Sequence, residues 1–408
     1  MRGPEPLVLS DGAPTAEHLV PRIVAAWADG RPVALAAPFD RHGLEGALGD
    51  GTAWSSWGAA VVLGSGGSSG RRRWCLQPLA HLEASAAATG AFLVAQGLDP
   101  AACLHLNPLP LHHVSGLLPL VRTHQWGAEL GLLPPEWMRD PGQLTKVAPL
   151  PADRPVVLSL VPTQLIRLMA TAAGVDWLRR CAVIWVGGAA LAPALATRAR
   201  QLGLRLSPCY GATETAAMVC ALAPDHFLAG ATGCGPALVD VSLGLDGPTG
   251  AVEVRTARLA SGWLEAGRLT PLVTGAGGWW RSGDAGRLEL GGLTVLGRLD
   301  GALQSGAETV FPEELEGRLA AAAQGRGLPL EAALLLGQPE AEWGERLLAL
   351  VRPQPGADGA ALIRALEEIT ATWRPADRPR RWRLCGDLAP NAAGKWERSR
   401  WRQWFLQA

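Results

Sequence analysis

CAVIWVGGAALAPALATRARQLG, residues 181–203, is the stretch on which the fold class turns. An apolar run, Cys181 to Val186, ends in Gly187-Gly188, and an Ala/Leu/Arg-rich segment follows with Pro193 in its first turn. Pro at that position is pre-set for a helix start, because the amide it lacks would have no partner there. The pattern predicts strand, tight turn, helix. The same order recurs upstream. AAVVLGSGG (59–67) precedes LEASAAATGAFLVAQGL (82–98), and RPVVLSLVPT (154–163) precedes QLIRLMATAAG (164–174). Repeated strand–loop–helix units argue for an α/β domain with largely parallel strands. Residues 232–299 differ: AVEVRT, GRLEL and LTVLGRL, separated by Gly-rich turns, predict antiparallel strands. Beyond about Asp300 a tail offers one strand-like run, AALLLGQ, and helices near 359–373 and 395–406. The expected division is a large domain over 1–299 and a small α+β domain over 300–408.

Composition narrows the function classes. The chain has 408 residues, 48% hydrophobic and 18% charged, with formal net charge +0. That length exceeds what one core usually spans, so two domains of unequal size are expected. A balanced charge gives no general attraction to nucleic acid. No segment reaches the ~20 uninterrupted apolar residues of a membrane span, and the start, MRGPEPLVLSDGAP, lacks a signal-peptide pattern. Seven cysteines, at 75, 103, 181, 209, 220, 234 and 385, form no C-x-x-C pair and several sit in apolar runs. Free thiols in a reducing, cytoplasmic setting are expected. Only Lys146 and Lys395 are lysines among 37 basic residues, so the place of each lysine is informative.

Four stretches carry candidate chemistry. In LGSGGSSGRRR (63–73), glycines allow backbone amides to turn towards an anion, Ser65, Ser68 and Ser69 add hydroxyls, and Arg71 to Arg73 add charge. Gly67 and Gly70 belong to that cradle, which competes with a plain surface loop. The Gly187-Gly188 turn, at the carboxyl end of a strand, would admit a flat ring or be an ordinary tight turn. SPCYGATETAAM (207–218) holds the single tyrosine, Tyr210, next to Gly211, Thr213 and Glu214. A ring face to stack, a hydroxyl for a phosphoryl oxygen and a hard carboxylate for Mg²⁺ would stand together there, against the alternative of a core aromatic. Downstream, WWRSGDAGRLEL (279–290), GRLDGALQSGAETVFPEELE (297–316) and NAAGKWER (391–398) place Asp284, Arg298, Asp300 and Lys395. Asp284 could accept from vicinal ribose hydroxyls, and Lys395 could reach a phosphoryl group. A turn aspartate and a solvated lysine are the competing readings.

In this order and spacing the motifs resemble the adenylate-forming (AMP-binding) superfamily of acyl-CoA ligases from about Val61 onward. LPLHHVSGLLPLVR (109–122) and SLVPTQLIRL (159–168) look like the o-succinylbenzoate:CoA ligase branch, which serves menaquinone and phylloquinone biosynthesis. The resemblance implies ATP, Mg²⁺ and CoA as the small molecules used, with o-succinylbenzoate as acid. It implies roles residue by residue. Lys395, His113 and Thr213 act on the phosphoryl group. Ser65, Gly67, Ser68, Ser69, Gly70, Arg73, Gly187, Gly188, Tyr210, Gly211, Asp284 and Arg298 hold the nucleotide. Glu214 holds the metal. His113, Arg122 and Ser159 meet the acid, and Asp300 is the hinge about which the loop 302–309 swings in. His113 and Arg122 could instead be a structural pair at a helix start. The sequence departs from the pattern in a shortened region before the phosphate loop, in Arg72-Arg73 where Pro-Lys is usual, and in Ala307 where glycine is frequent. Alternatives are a ligase for another aryl or small carboxylic acid, a domain that loads a carrier protein, and a non-catalytic adenylate-binding protein.

Overall fold

A computed structural model describes residues 7–10, 16–49, 56–65, 72–247, 249–305, 308–390 and 396–407. The strand–turn–helix expected at 181–203 is present: Val183–Val186, then helix Pro193–Gln201. All four strand residues are buried, which explains the run of β-branched and aromatic residues without polar alternation.

That strand lies inside a six-stranded sheet in the order Ala217–Ala221, Leu206–Ala212, Val183–Val186, Val156–Leu160, Leu104–Asn107, Glu129–Leu132. The five strands from Leu206–Ala212 onward are parallel, and only the edge pair formed with Ala217–Ala221 is antiparallel. One face packs Leu158, Leu160, Ile184, Val186 and Leu206 against helices; the other packs Val157, Val183 and Trp185.

A second six-stranded sheet begins parallel, with Leu7–Ser10, Val33–Ala36 and Ala60–Ser65. It then turns antiparallel at Arg73–Pro78, which pairs with Ala60–Ser65 from Ala60↔Pro78 to Ser65↔Arg73. The candidate phosphate loop therefore connects two antiparallel neighbours, and a strand stands where the sequence suggested a direct passage from loop to helix Leu79–Ala95. Residues 66–71, which include Gly67, Ser68, Ser69, Gly70 and Arg71, lie outside the described residues.

The antiparallel region is present as a four-stranded sheet of Ser242–Leu245, Ala251–Arg255, Trp280–Glu289 and Gly292–Arg298. One part of it goes elsewhere. Gly262–Glu265 and Arg268–Pro271 leave that sheet and extend the second one, with Trp263 opposite Cys75. No local pattern announces which sheet a hairpin joins.

A 3₁₀ turn, Leu299–Gly301, leads into a five-stranded sheet. The tail holds more strand than its single expected run. Leu330–Glu340 and Gly344–Pro353 form a long antiparallel pair, and Arg381–Leu384 adds a parallel edge. GERLLALVRP is buried from Arg346's neighbour Leu347 through Val351, so its apolar run reads equally as helix until the sheet exists. Helices Gly359–Thr370 and Arg398–Gln407 occur near the expected places. Helix Pro312–Gly325 seats the tail on the large domain. Gly317 faces Pro193, and Arg287 pairs with Glu314 at 3.3 Å.

Candidate nucleotide and acyl site

Strand Leu206–Ala212 delivers Tyr210 and Gly211, and a 3₁₀ turn carries Thr213 to Thr215. The chain then reverses through Ala216 (φ 52) and Ala217 (φ 71) into the edge strand. The reversal is tight enough that a Cβ at Gly211 would lie 2.0 Å from the Ala217 carbonyl oxygen, so only glycine fits.

Tyr210 Oη donates to Asp284 Oδ2 at 2.7 Å. Asp284 sits in strand Trp280–Glu289, opposite Arg298 of the next strand, and Arg298 Nη1 donates to Asp284 Oδ1 at 3.4 Å. Arg298 also reaches Asp300, with Nε to Oδ1 at 3.2 Å and Nη2 to Oδ2 at 3.1 Å. Burial, followed by the Asp284 charge, pushes the Tyr210 phenol well above its ordinary range, so it stays a neutral donor. Tyrosine, aspartate and arginine thus form one continuous polar group built from two sheets.

Glu214 lies beside it. Ser65 Oγ, at the end of strand Ala60–Ser65, donates to Glu214 Oε1 at 3.2 Å. Burial raises the Glu214 pKa. The hydrogen bonds to its carboxylate and the nearby Arg73 charge pull the other way. Arg73 itself stacks 3.7 Å over the Trp263 ring, which explains why that hairpin's attachment to the second sheet matters here. Among the described residues no cluster of three or more His, Cys, Asp or Glu could enclose a metal. A single buried carboxylate is nevertheless the donor type suited to Mg²⁺ that takes its remaining ligands from phosphate and water.

The Gly-Gly turn borders a second region. Gly188 has φ +79, and Cys209 Sγ stands 3.0 Å from where a Gly187 Cβ would be. Cys209 packs against the apolar cluster that contains Trp185, and the guanidinium of Arg122 lies 4.5 Å from the centre of the Trp185 ring. Arg122 is 2% exposed, its Nε has no hydrogen-bond partner, and no carboxylate pairs with it among the described residues. Burial lowers its pKa to about 9. Ser159 is in register with Trp185 on the adjacent strand, so it shares that sheet face.

His113 caps helix Val114–Trp126, on which Arg122 lies. Nine residues of helix amount to about 13 Å and a half-turn of rotation, so the two side chains do not converge on one atom. The His113 and His112 ring centres lie 4.4 Å apart with the planes tilted by 51°. Lys395, Gly306 and Ala307 lie outside the described residues.

Three contributors carried no sequence signal. Gln77, buried in strand Arg73–Pro78, donates to the Thr213 carbonyl at 2.6 Å. Trp185 supplies the ring under Arg122, and Arg258, 0% exposed, binds the turn after Glu214. An open cavity of about 380 Å³ around Trp343, Arg346 and Arg380 lies in the tail and shares no residue with either region.

Residues 12–264 match the model of the AMP-binding enzyme family. A 2-succinylbenzoate–CoA ligase of Salmonella typhimurium is 30% identical over 74% of this chain and 60% of its own length. The chain thus spans about three fifths of that relative. Among solved structures, o-succinylbenzoate CoA synthetase from Bacillus subtilis in complex with the acyl-adenylate intermediate OSB-AMP superposes with TM-score 0.78 at 18% identity, over 98% of this chain and 88% of that one. The same enzyme in complex with ATP and magnesium ion gives 0.77 at 19%, over 98% and 90%. At those identities the likeness speaks for the fold. Among the described residues, no helix is long and apolar enough to cross a membrane. Because the family model matches residues 12–264, more than half of the chain, this protein belongs to the AMP-binding enzyme family.

Proposed function

We propose that the chain is an ATP-dependent o-succinylbenzoate:CoA ligase of menaquinone or phylloquinone biosynthesis. The observation that carries this reading is the 2.7 Å bond from Tyr210 to Asp284, which sets a stackable ring beside an acidic group suited to ribose hydroxyls. A buried arginine without an anionic partner supports a second carboxylate on the acid, because an isolated buried charge is costly.

The substrate carboxylate oxygen attacks the α-phosphorus of ATP, and the bond to pyrophosphate breaks. The CoA thiol then loses its proton and attacks the acyl carbon, and AMP leaves with the electron pair. Negative charge builds on the phosphoryl oxygens in the first step. In this reading Thr213 and His113 stabilise it from the large domain, and Lys395 does so from the small one. Tyr210 and the Gly187-Gly188 turn sandwich the adenine, while Asp284 and Arg298 hold the ribose. Ser65, Gly67, Ser68, Ser69, Gly70 and Arg73 bind the phosphates of ATP in this reading. Glu214 would hold Mg²⁺, which would supply electrostatic neutralisation of the phosphates. Arg122 and Ser159 receive the acid's far end, and His113 faces its reacting end. Residues 1–299 and 300–408 act as two bodies about Asp300. One orientation brings Lys395 to the phosphates and the other brings the loop 302–309 to the thioester step. Seven free cysteines suit a cytoplasmic setting.

Pyrophosphate release, measured with o-succinylbenzoate, benzoate and small aliphatic acids, each with and without CoA, tests the reading. Release with o-succinylbenzoate should exceed that with benzoate by about 100-fold, as the loss of one buried charge-assisted pair implies. Equal rates with benzoate would remove the substrate assignment, and no release with any acid would remove the ligase.

A further inference from the structure

Two alanines in left-handed conformation, Ala216 and Ala217, directly follow the turn that carries Thr213 and Glu214. Non-glycine residues adopt that conformation only where the surroundings impose it. Here one buried side chain from far along the chain binds several carbonyls of the reversal. Arg258 lies between strands Ala251–Arg255 and Gly262–Glu265, and it is fully buried. Its Nη1 donates to Thr215 O at 2.9 Å, to Ala216 O at 3.3 Å and to Ser85 Oγ at 2.9 Å. Its Nη2 donates to Met218 O at 2.9 Å. Asp240 balances the charge, taking Nε on Oδ2 at 2.6 Å and Nη2 on Oδ1 at 3.3 Å.

The clasp continues on both sides. Ser85 Oγ passes the contact on to Ala216 O at 2.6 Å, and the Ala260 amide, two residues beyond Arg258, donates to Glu214 O at 2.8 Å. Backbone carbonyls 214, 215, 216 and 218 are thereby all held by Arg258, Ser85 or Ala260. Only the planar fork of an arginine can address three carbonyls and a carboxylate at once; lysine carries the charge without that geometry. A buried ion pair is a poor stabiliser compared with an apolar replacement of like volume, so the fork's value lies in the backbone shape that it enforces.

We propose that Arg258 is a positioning residue for the nucleotide site: it holds the strained 215–218 reversal so that Glu214 and Thr213 face the phosphates of a Mg²⁺-bound nucleotide. The proposal rests on the reading of that site as an ATP site. Arg258 touches neither nucleotide nor metal; it acts through Glu214.

Titration calorimetry of ATP binding to the full chain, with Mg²⁺ and with EDTA, tests this apart from turnover. The ratio of the two affinities reads how well Glu214 is placed. Arg258→Lys should cut that ratio at least tenfold while leaving the affinity in EDTA within about twofold, since Tyr210 and Asp284 are untouched. Ser85→Ala, which keeps the arginine and loses one relay, should cut it about threefold. Circular dichroism and melting establish that each variant is folded. A folded Arg258→Lys with the wild-type ratio overturns the proposal, and so does a variant that loses affinity equally in both buffers. Should Arg258→Lys fail to fold, an unchanged ratio in Ser85→Ala overturns it. Wild-type protein that binds no ATP in either buffer overturns the nucleotide reading itself, and the positioning role with it.

Discussion

Tyr210 and Asp284, 74 residues apart and on different sheets, meet through a 2.7 Å hydrogen bond in which the phenol is the donor. The bond orients the carboxylate that also faces Arg298, so ring and acid are positioned as one unit.

Tyr210→Phe keeps the ring and removes that donor. One hydrogen bond to a charged acceptor contributes about 1.5 kcal/mol, which corresponds to a roughly tenfold rise in KM for ATP with kcat little changed. Tyr210→Ala also removes stacking, and its KM should rise by a further order of magnitude. Pyrophosphate-release kinetics at varied ATP give both values; a Phe variant with wild-type KM would show that the contact has no part in binding.

Glu214→Gln should remove the dependence of ATP affinity on Mg²⁺ and at the same time raise the melting temperature. Burial gives the folded carboxyl a higher pKa than the unfolded one. Between those two values the folded chain binds more protons, so stability falls as pH rises through that window, and the loss is complete above it. The glutamine has no such loss. Melting curves from pH 4 to 8 should therefore separate progressively, the variant lying higher at pH 8. Mg²⁺ affinity of wild type should fall as pH drops through the same window.

Arg122→Met should stabilise the unliganded protein by about 1–3 kcal/mol, since it replaces an unpaired buried charge by an apolar side chain of similar length. The guanidinium deprotonates more readily in the fold, near pH 9, than in the unfolded chain. Wild-type stability should accordingly rise as pH climbs past about 9, because the unfolded chain then binds more protons, and the variant should lack that rise. With o-succinylbenzoate its KM should increase about 100-fold, while benzoate kinetics stay the same.

Gly211→Ala should be among the most damaging substitutions in the large domain. Its Cβ would meet backbone at 2.0 Å on a strand pair that carries the site. A loss of about 3 kcal/mol or more is expected in chemical denaturation, with Ala217's neighbours displaced and ATP affinity reduced.

Lys395→Ala should abolish pyrophosphate release and spare thioester formation from supplied acyl-adenylate. Stopped-time assays of the two half-reactions distinguish this outcome from an equal loss of both.

Local pattern alone determined a good deal. The apolar run at 181–186, the Gly-Gly turn and Pro193 set a strand and a helix through steric and amide-pairing rules that act within a few residues. Tyr210 reads by itself equally as a core aromatic, and the order of the motifs around it is what set it, Thr213 and Glu214 apart as candidates. Asp284 and Arg298 stood out for similar reasons. Only the tertiary structure decided which sheet receives Gly262–Glu265, how long the tail strands run, and that Arg122 is buried with no carboxylate paired to it among the described residues. It alone placed Arg258 behind Glu214 and Gln77 behind Thr213. An arginine among small apolar residues reads as surface until the carbonyls that need it are brought near, and those carbonyls exist as a cluster only once two left-handed alanines have turned the chain. Charge burial and long-range hydrogen bonding depend on what surrounds a group in space, whereas strand and helix starts depend on what flanks it in the chain.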